Sequence, residues 1–378
     1  MIQFNVPTVL PESIDYIEEC LNGRWLSGDG VFSKKASLWI EEHLDSPKIL
    51  LTTSGTSALE MAMKLAELQP GDEVILPSYT FSSTATAAVN ESAKLVFVDI
   101  RPDTMNIDET KIEDAITSKT KMIIVMHYGG IACEMDTIMD IAHRHGLIVV
   151  EDAAQGFMSK YKGKSLGTIG DFGCFSFHET KNFSMGEGGA ISINDTQYSL
   201  KAEILREKGT NRSMFYRGQV DKYTWIDKGS SYLPSEILSA YLYSQLARAE
   251  EIQERRHEIW NRYKLELSKY EGTVIETQHI PEGILHNAHL FYIKLKDIEQ
   301  RQQYIEYMKQ RGIMCTFHYI PLHCAPAGNV YGRFNGDDVY TTKESERLVR
   351  LPLYYELKQE EEDRIVRNTR DYLDGLLG

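Results

Sequence analysis

Leu147-Ile148-Val149-Val150-Glu151-Asp152-Ala153-Ala154-Gln155-Gly156 reads as an apolar strand that ends in two acids and runs into a loop. Open α/β sheets bind their ligands at the carboxyl ends of strands, so an acid placed there marks a candidate site. A loop aspartate capping the next helix is the plain alternative. Lys181 stands 29 residues beyond Asp152, in Phe175-Ser176-Phe177-His178-Glu179-Thr180-Lys181-Asn182, and Gly186-Glu187-Gly188-Gly189 follows. A third stretch, Ser54-Gly55-Thr56-Ser57-Ala58-Leu59-Glu60, turns on a glycine into a helix, with Ser57 and Glu60 at capping-box spacing. Free amides and the helix dipole favour a dianion at such a terminus.

Outward from these stretches, short apolar runs over about 50–53, 74–77, 94–99, 122–127, 147–151, 173–177 and 190–193 alternate with helical patterns near 57–68 and 135–145. Near-continuous apolar strands separated by helices predict a mainly parallel sheet with helices on both faces. Residues 207–228 are polar, aromatic and basic, without strand or helix period, and read as a long loop of the functional kind. Residues 234–270 read as helical. A smaller α+β domain follows, with strands near 291–296 and 314–319 and helices near 298–311, 342–350 and 359–377. The expected division is a large ligand-binding domain over 1–250 and a small C-terminal domain over 251–378.

The chain of 378 residues is 42% hydrophobic and 25% charged, as in an ordinary globular protein. Its 41 basic and 55 acidic residues give a net charge of −14, the wrong sign for general binding to a phosphate backbone, so no nucleic-acid partner is expected. No apolar run approaches the roughly 18–20 residues that span a bilayer, which argues against membrane insertion. The N-terminus lacks a basic leader and soon turns acidic, and the five cysteines follow no framework spacing; both features suit a cytoplasmic protein with reduced thiols. Cys315, His318, His323 and Cys324 match no usual zinc spacing, and no metal is expected.

Taken together, the three stretches resemble the pyridoxal phosphate (PLP) site of fold-type I, aspartate aminotransferase-like enzymes. There a strand-end carboxylate pairs with the pyridine nitrogen and a lysine holds the aldehyde as a Schiff base. With Pro77-Ser78-Tyr79-Thr80-Phe81 added, the sequence is similar over nearly its whole length to the DegT/DnrJ/EryC1/StrS family of nucleotide-sugar aminotransferases. The resemblance implies that Lys181 is the Schiff-base and proton-shuttling lysine, that Asp152 meets the pyridine nitrogen and that Gln155 meets the ring hydroxyl. It also implies that Ser176 with Gly55, Thr56 and Ser57 holds the phosphate. Phe81 would stack on the ring or serve as a plain core aromatic. Where many members read Gly-Tyr-Asn-Tyr-Arg, this chain has Gly229-Ser230-Ser231-Tyr232-Leu233, so Ser231 replaces an asparagine that reaches a neighbouring subunit's phosphate.

The family further implies L-glutamate as amino donor and a homodimer with shared active sites. The runs 101–110, 178–182, 207–212, 220–225 and 317–323 resemble members that aminate C4 of dTDP-4-dehydro-6-deoxyglucose to the galacto product. A 3-keto or UDP-linked sugar is the alternative acceptor. Dehydratases of the same family carry histidine in place of the lysine, which Lys181 argues against. Arg212, Arg217, Lys222 and Tyr223 on the basic loop would neutralise the diphosphate. His318, Tyr319 and His323 would line the sugar pocket or pack the small domain.

Overall fold

In the computed structural model, which describes residues 1–377, the central sheet has eight strands. Their spatial order is Ile49–Thr52, Gly189–Ile193, Phe172–Ser176, Ile148–Asp152, Thr120–Met126, Glu73–Pro77, Lys94–Val98 and Gly332–Phe334. Neighbours run parallel except at Gly189–Ile193, which opposes the strand on either side. The apolar runs are buried because both faces are covered. On one face Leu59, Met61, Met63 and Leu65 of the helix Gly55–Leu65 pack against Leu76, Ile124 and Phe172. On the other, Met135, Ile138 and Ile141 of Met135–His145 pack against Ile75, Ile123 and Val149. The mainly parallel, doubly covered sheet is the one the hydrophobic pattern predicts.

A second, antiparallel sheet joins Glu276–Thr277, Phe291–Lys294 and Leu348–Leu351. The helices Ala249–Leu267, Ile298–Gln310 and Gln359–Leu377 close over it around Trp260, Tyr263, Phe291 and Tyr304. Here the helix expected over 342–350 is shortened. Thr341–Arg347 is helical, and the chain then turns into the strand Leu348–Leu351, whose Leu348, Val349 and Leu351 pair and pack with Phe291–Lys294. Tertiary pairing of Leu348–Leu351 with Phe291–Lys294 overrides its helical spacing. The strand expected over 314–319 reduces to a single bridge between Thr316 and Arg350, and the long loop contains the short helix Arg212–Tyr216.

Two stretches cross between the bodies. Ile2 bridges Ile313 and lies in the second core, while Gly332–Phe334 joins the far edge of the large sheet beside Lys94–Val98. Within the second body, Arg256 donates to the carbonyls of Ala288, His289 and Leu353, tying the helix Ala249–Leu267 to the segments that flank the small sheet. Among the described residues no helix is long and apolar enough to cross a membrane.

Candidate active site

The parallel register sets Asp152 opposite Cys174, so the carboxyl ends of Ile148–Asp152 and Phe172–Ser176 open on one edge of the sheet. A cavity of about 530 Å3 lies there, lined from the large sheet by Asp152, Gln155, Ser176 and Lys181 and from the second body by His289, His318, Tyr319 and Arg350. Lys181 sits on the turn between two antiparallel strands. That turn is folded back by Phe177 N–H to Gly188 O (2.8 Å), Glu179 N–H to Gly186 O (2.8 Å) and Lys181 N–H to His178 O (2.9 Å). Gln245, from the helix Glu236–Leu246, clamps the same turn, accepting from Ser184 N and donating to Ser184 O.

Burial pushes the Lys181 amine down to about 8; Asp152 opposes the shift and Arg350 adds to it. Asp152 is 4% exposed, and burial raises its pKa against a hydrogen bond from Thr84 Oγ1 (2.6 Å), the Ala154 amide (3.1 Å) and Lys181. A buried carboxylate held this way lacks a tight cationic partner, and a protonated pyridine nitrogen would supply one.

The phosphate end is built from Ser54, which caps Gly55–Leu65 by accepting from Ser57 N (3.0 Å). The cap is thus Ser54, one turn ahead of the Ser57/Glu60 pair that the spacing suggested; Glu60 instead accepts from Tyr232 and Asn90. With the Ser57 amide taken, the first-turn amides of Gly55 and Thr56 are left for an external anion. A Cβ at Gly55 would come 2.9 Å from the Ser176 Cβ, so the missing side chain lets the helix start close against Ser176. The Thr56 and Ser83 hydroxyls meet at 2.8 Å on the same rim. These residues fit PLP: Asp152 for its ring nitrogen, Gly55, Thr56 and Ser176 for its phosphate, Lys181 for its aldehyde.

The remaining residues singled out in the sequence divide by position. Phe81 begins the helix Ser82–Asn90, is 57% exposed and faces the cavity, so it is not a core aromatic. Gln155 is held by Gly129 N–H (2.7 Å) and donates to the Tyr319 hydroxyl (2.9 Å). His318 stacks on Tyr319 at 3.8 Å, and burial keeps it well below the usual histidine range. His323 lies outside the cavity, between Ser78 Oγ (2.7 Å) and Asp338 (3.0 Å).

Ser231 pairs with Glu207 and also lies away from the cavity of its own chain, as do Arg212, Arg217, Lys222 and Tyr223. Arg217 is engaged by Glu203 (2.8 Å) and Arg212 by Glu207 (3.3 Å). Ser83, His289 and Arg350 line the cavity without a motif in the sequence; Thr84, equally unannounced, reaches Asp152 from outside the lining. Ser83 and Thr84 lie in the first turn of a plain Ser/Thr/Ala helix, His289 in an irregular run before a strand, and Arg350 in a stretch with helical spacing.

Fold and site together define a PLP-dependent aminotransferase of fold type I. More particularly, the chain belongs to the DegT/DnrJ/EryC1/StrS aminotransferase family, whose profile matches residues 8–370. It is 30% identical to the GDP-perosamine synthase of Caulobacter vibrioides over 361 residues, covering 93% of each chain. It is also 30% identical, over 333 residues and 86% of each chain, to the dTDP-4-dehydro-2,3,6-trideoxy-D-glucose 4-aminotransferase of Saccharopolyspora spinosa. Spr1654 of Streptococcus pneumoniae, solved in PLP and PMP forms, superposes with a TM-score of 0.92 at 27% identity, over 100% of both chains.

Proposed function

We propose that this chain moves the amino group of L-glutamate to C4 of dTDP-4-dehydro-6-deoxy-D-glucose, giving dTDP-4-amino-4,6-dideoxy-D-galactose and 2-oxoglutarate. The observation that carries the aminotransferase chemistry is the buried Lys181 amine, with a pKa near 8, sharing one cavity with Asp152 and the start of the helix Gly55–Leu65. PLP, when bound, supplies an electron sink that stabilises negative charge on the carbon being deprotonated. The chain does the rest. Asp152, steadied by Thr84 and the Ala154 amide, holds the positive ring nitrogen; the amides of Gly55 and Thr56 with Ser176 hold the phosphate; Phe81 covers the ring.

Lys181 Nζ takes the proton from Cα of the donor. In the second half-reaction it returns a proton to C4 of the sugar from its own face, which fixes the configuration there. An amine with a pKa near 8 exchanges protons readily around neutral pH, where an ordinary lysine would stay charged. The acceptor assignment is supported by the sequence runs named above and by the 4-amination of a dTDP-linked sugar in the Saccharopolyspora relative's name.

The same reading makes the enzyme a cytoplasmic homodimer. Trp225 (77% exposed), Tyr223 and Ile226 leave an apolar face on the 207–228 loop that a second copy would cover, bringing Lys222 and Ser231 toward the partner's cavity. The purified protein is tested by its visible absorbance and by borohydride reduction followed by peptide mapping. Reduction should fix the cofactor on the peptide holding Lys181, and glutamate should bleach the unreduced chromophore. Label on any other lysine would overturn the assignment.

A further inference from the structure

The second body contains three arginines that burial weighs on and that have no carboxylate within ion-pair distance: Arg256, Arg301 and Arg350. Burial pulls all three below the ordinary guanidinium range. Their surroundings differ. Arg256 spends its donors on three backbone carbonyls within the second body, and Arg301, outside the cavity lining, donates to Ser345 O (3.0 Å) over the ring of Phe317. Arg350 gives only Nη2, to Phe317 O at 3.2 Å, while its Nε is buried without a partner. Phe4 lies on the face of its guanidinium, 4.5 Å from the ring centre, and Leu351 and Leu353 flank it on the cavity wall. A cation in an apolar wall with an unused donor is costly unless an anion completes it.

We infer that Arg350 is the carboxylate-binding residue for the amino donor, taking the carboxylate on the carbon that loses its proton. This rests on the aminotransferase reading above. Three anions enter such a cavity, and position separates them. The cofactor phosphate has its own seat on the large sheet at Gly55, Thr56 and Ser176. Arg350 stands on the strand Leu348–Leu351 of the second body and is close enough to depress the Lys181 amine. A donor carboxylate is bonded to the carbon that Lys181 deprotonates, whereas the diphosphate of a nucleotide-sugar is held off from the reacting C4 by the sugar ring. The planar guanidinium edge also matches a carboxylate better than a lysine would.

The test uses PLP-loaded protein, wild type, Arg350→Gln and Arg350→Lys, titrated calorimetrically with glutarate, which has the carboxylates but no amine to react, and separately with dTDP. Arg350→Gln should weaken glutarate binding about tenfold or more, the loss of a buried charged hydrogen bond, and Arg350→Lys should fall between. Binding of dTDP and retention of PLP should stay within about twofold of wild type. Stopped-flow half-reactions should show the KM for glutamate raised and that for the nucleotide-sugar unchanged. Unchanged glutarate binding in both variants overturns the inference. Selective loss of dTDP binding assigns Arg350 to the diphosphate, and loss of PLP assigns it to the cofactor; either overturns it too. If the wild-type chromophore is unmoved by every amino donor, the aminotransferase reading fails, and the inference falls with it.

Discussion

In cofactor-free protein the buried Lys181 amine should be a measurable liability. Carrying a lysine from its ordinary 10.5 down to about 8 corresponds to about 3 kcal/mol, the most that folding loses by keeping this group in the cavity at neutral pH. The sign follows from proton counting. Between those two values the unfolded chain holds the proton and the folded chain has released it, so stability rises with pH across that window. The cost is fully present below about 8 and gone above 10.5. Lys181→Met fills the same space without the charge. Urea denaturation of the apoprotein at fixed protein concentration should therefore find the variant more stable at pH 7, by up to about 3 kcal/mol. The gap should shrink toward the packing difference alone as the pH approaches 10. An equal gap at both pH values, or a less stable variant at pH 7, would refute the claim that burial sets the Lys181 pKa.

Glu151, adjacent to Asp152, is fully buried and accepts from the amides of Gly167, Ile169 and Gly170 and from His127 Nε2. Glu151→Gln should cost about 3 kcal/mol or more by turning an amide NH2 toward those donors, read as a lower thermal midpoint of the apoprotein. Gly55→Ala would press a Cβ against Ser176 and should weaken PLP retention about tenfold, measured by dialysis and absorbance. Lys222→Ala, on the exposed loop, should raise the KM for the nucleotide-sugar several-fold and leave the glutamate half-reaction intact, because glutamate has no diphosphate for it to hold.

The sheet was legible because its strands are buried on both faces. Runs such as Met122-Ile123-Ile124-Val125-Met126 leave no polar side to confuse the reading, and the strand-end Asp152 and turn-borne Lys181 follow once the strands are placed. The second body was harder. Residues 342–350 have helical spacing, yet Leu348–Leu351 gains its partners from Phe291–Lys294, more than 50 residues earlier, and only that pairing turns Arg350 toward the cavity. The Ser57/Glu60 spacing puts the cap of Gly55–Leu65 one turn late, because Ser54 and Ser57 are both acceptable caps locally. In the fold Ser54 takes the cap by accepting from Ser57 N. His323 has the look of a site residue in sequence. In the fold its two ring nitrogens face Ser78 and Asp338 outside the cavity, a placement that no local motif decides between the pocket and packing readings.

The central claim is tested most directly by the structure of the product. Purified enzyme supplied with glutamate and dTDP-4-dehydro-6-deoxy-D-glucose should yield a single nucleotide-sugar. NMR coupling constants should show its new amine axial at C4, the galacto configuration, with 2-oxoglutarate formed in equal amount. An equatorial amine at C4, amination at C3, or turnover only with a GDP- or UDP-linked keto-sugar would contradict the proposed acceptor.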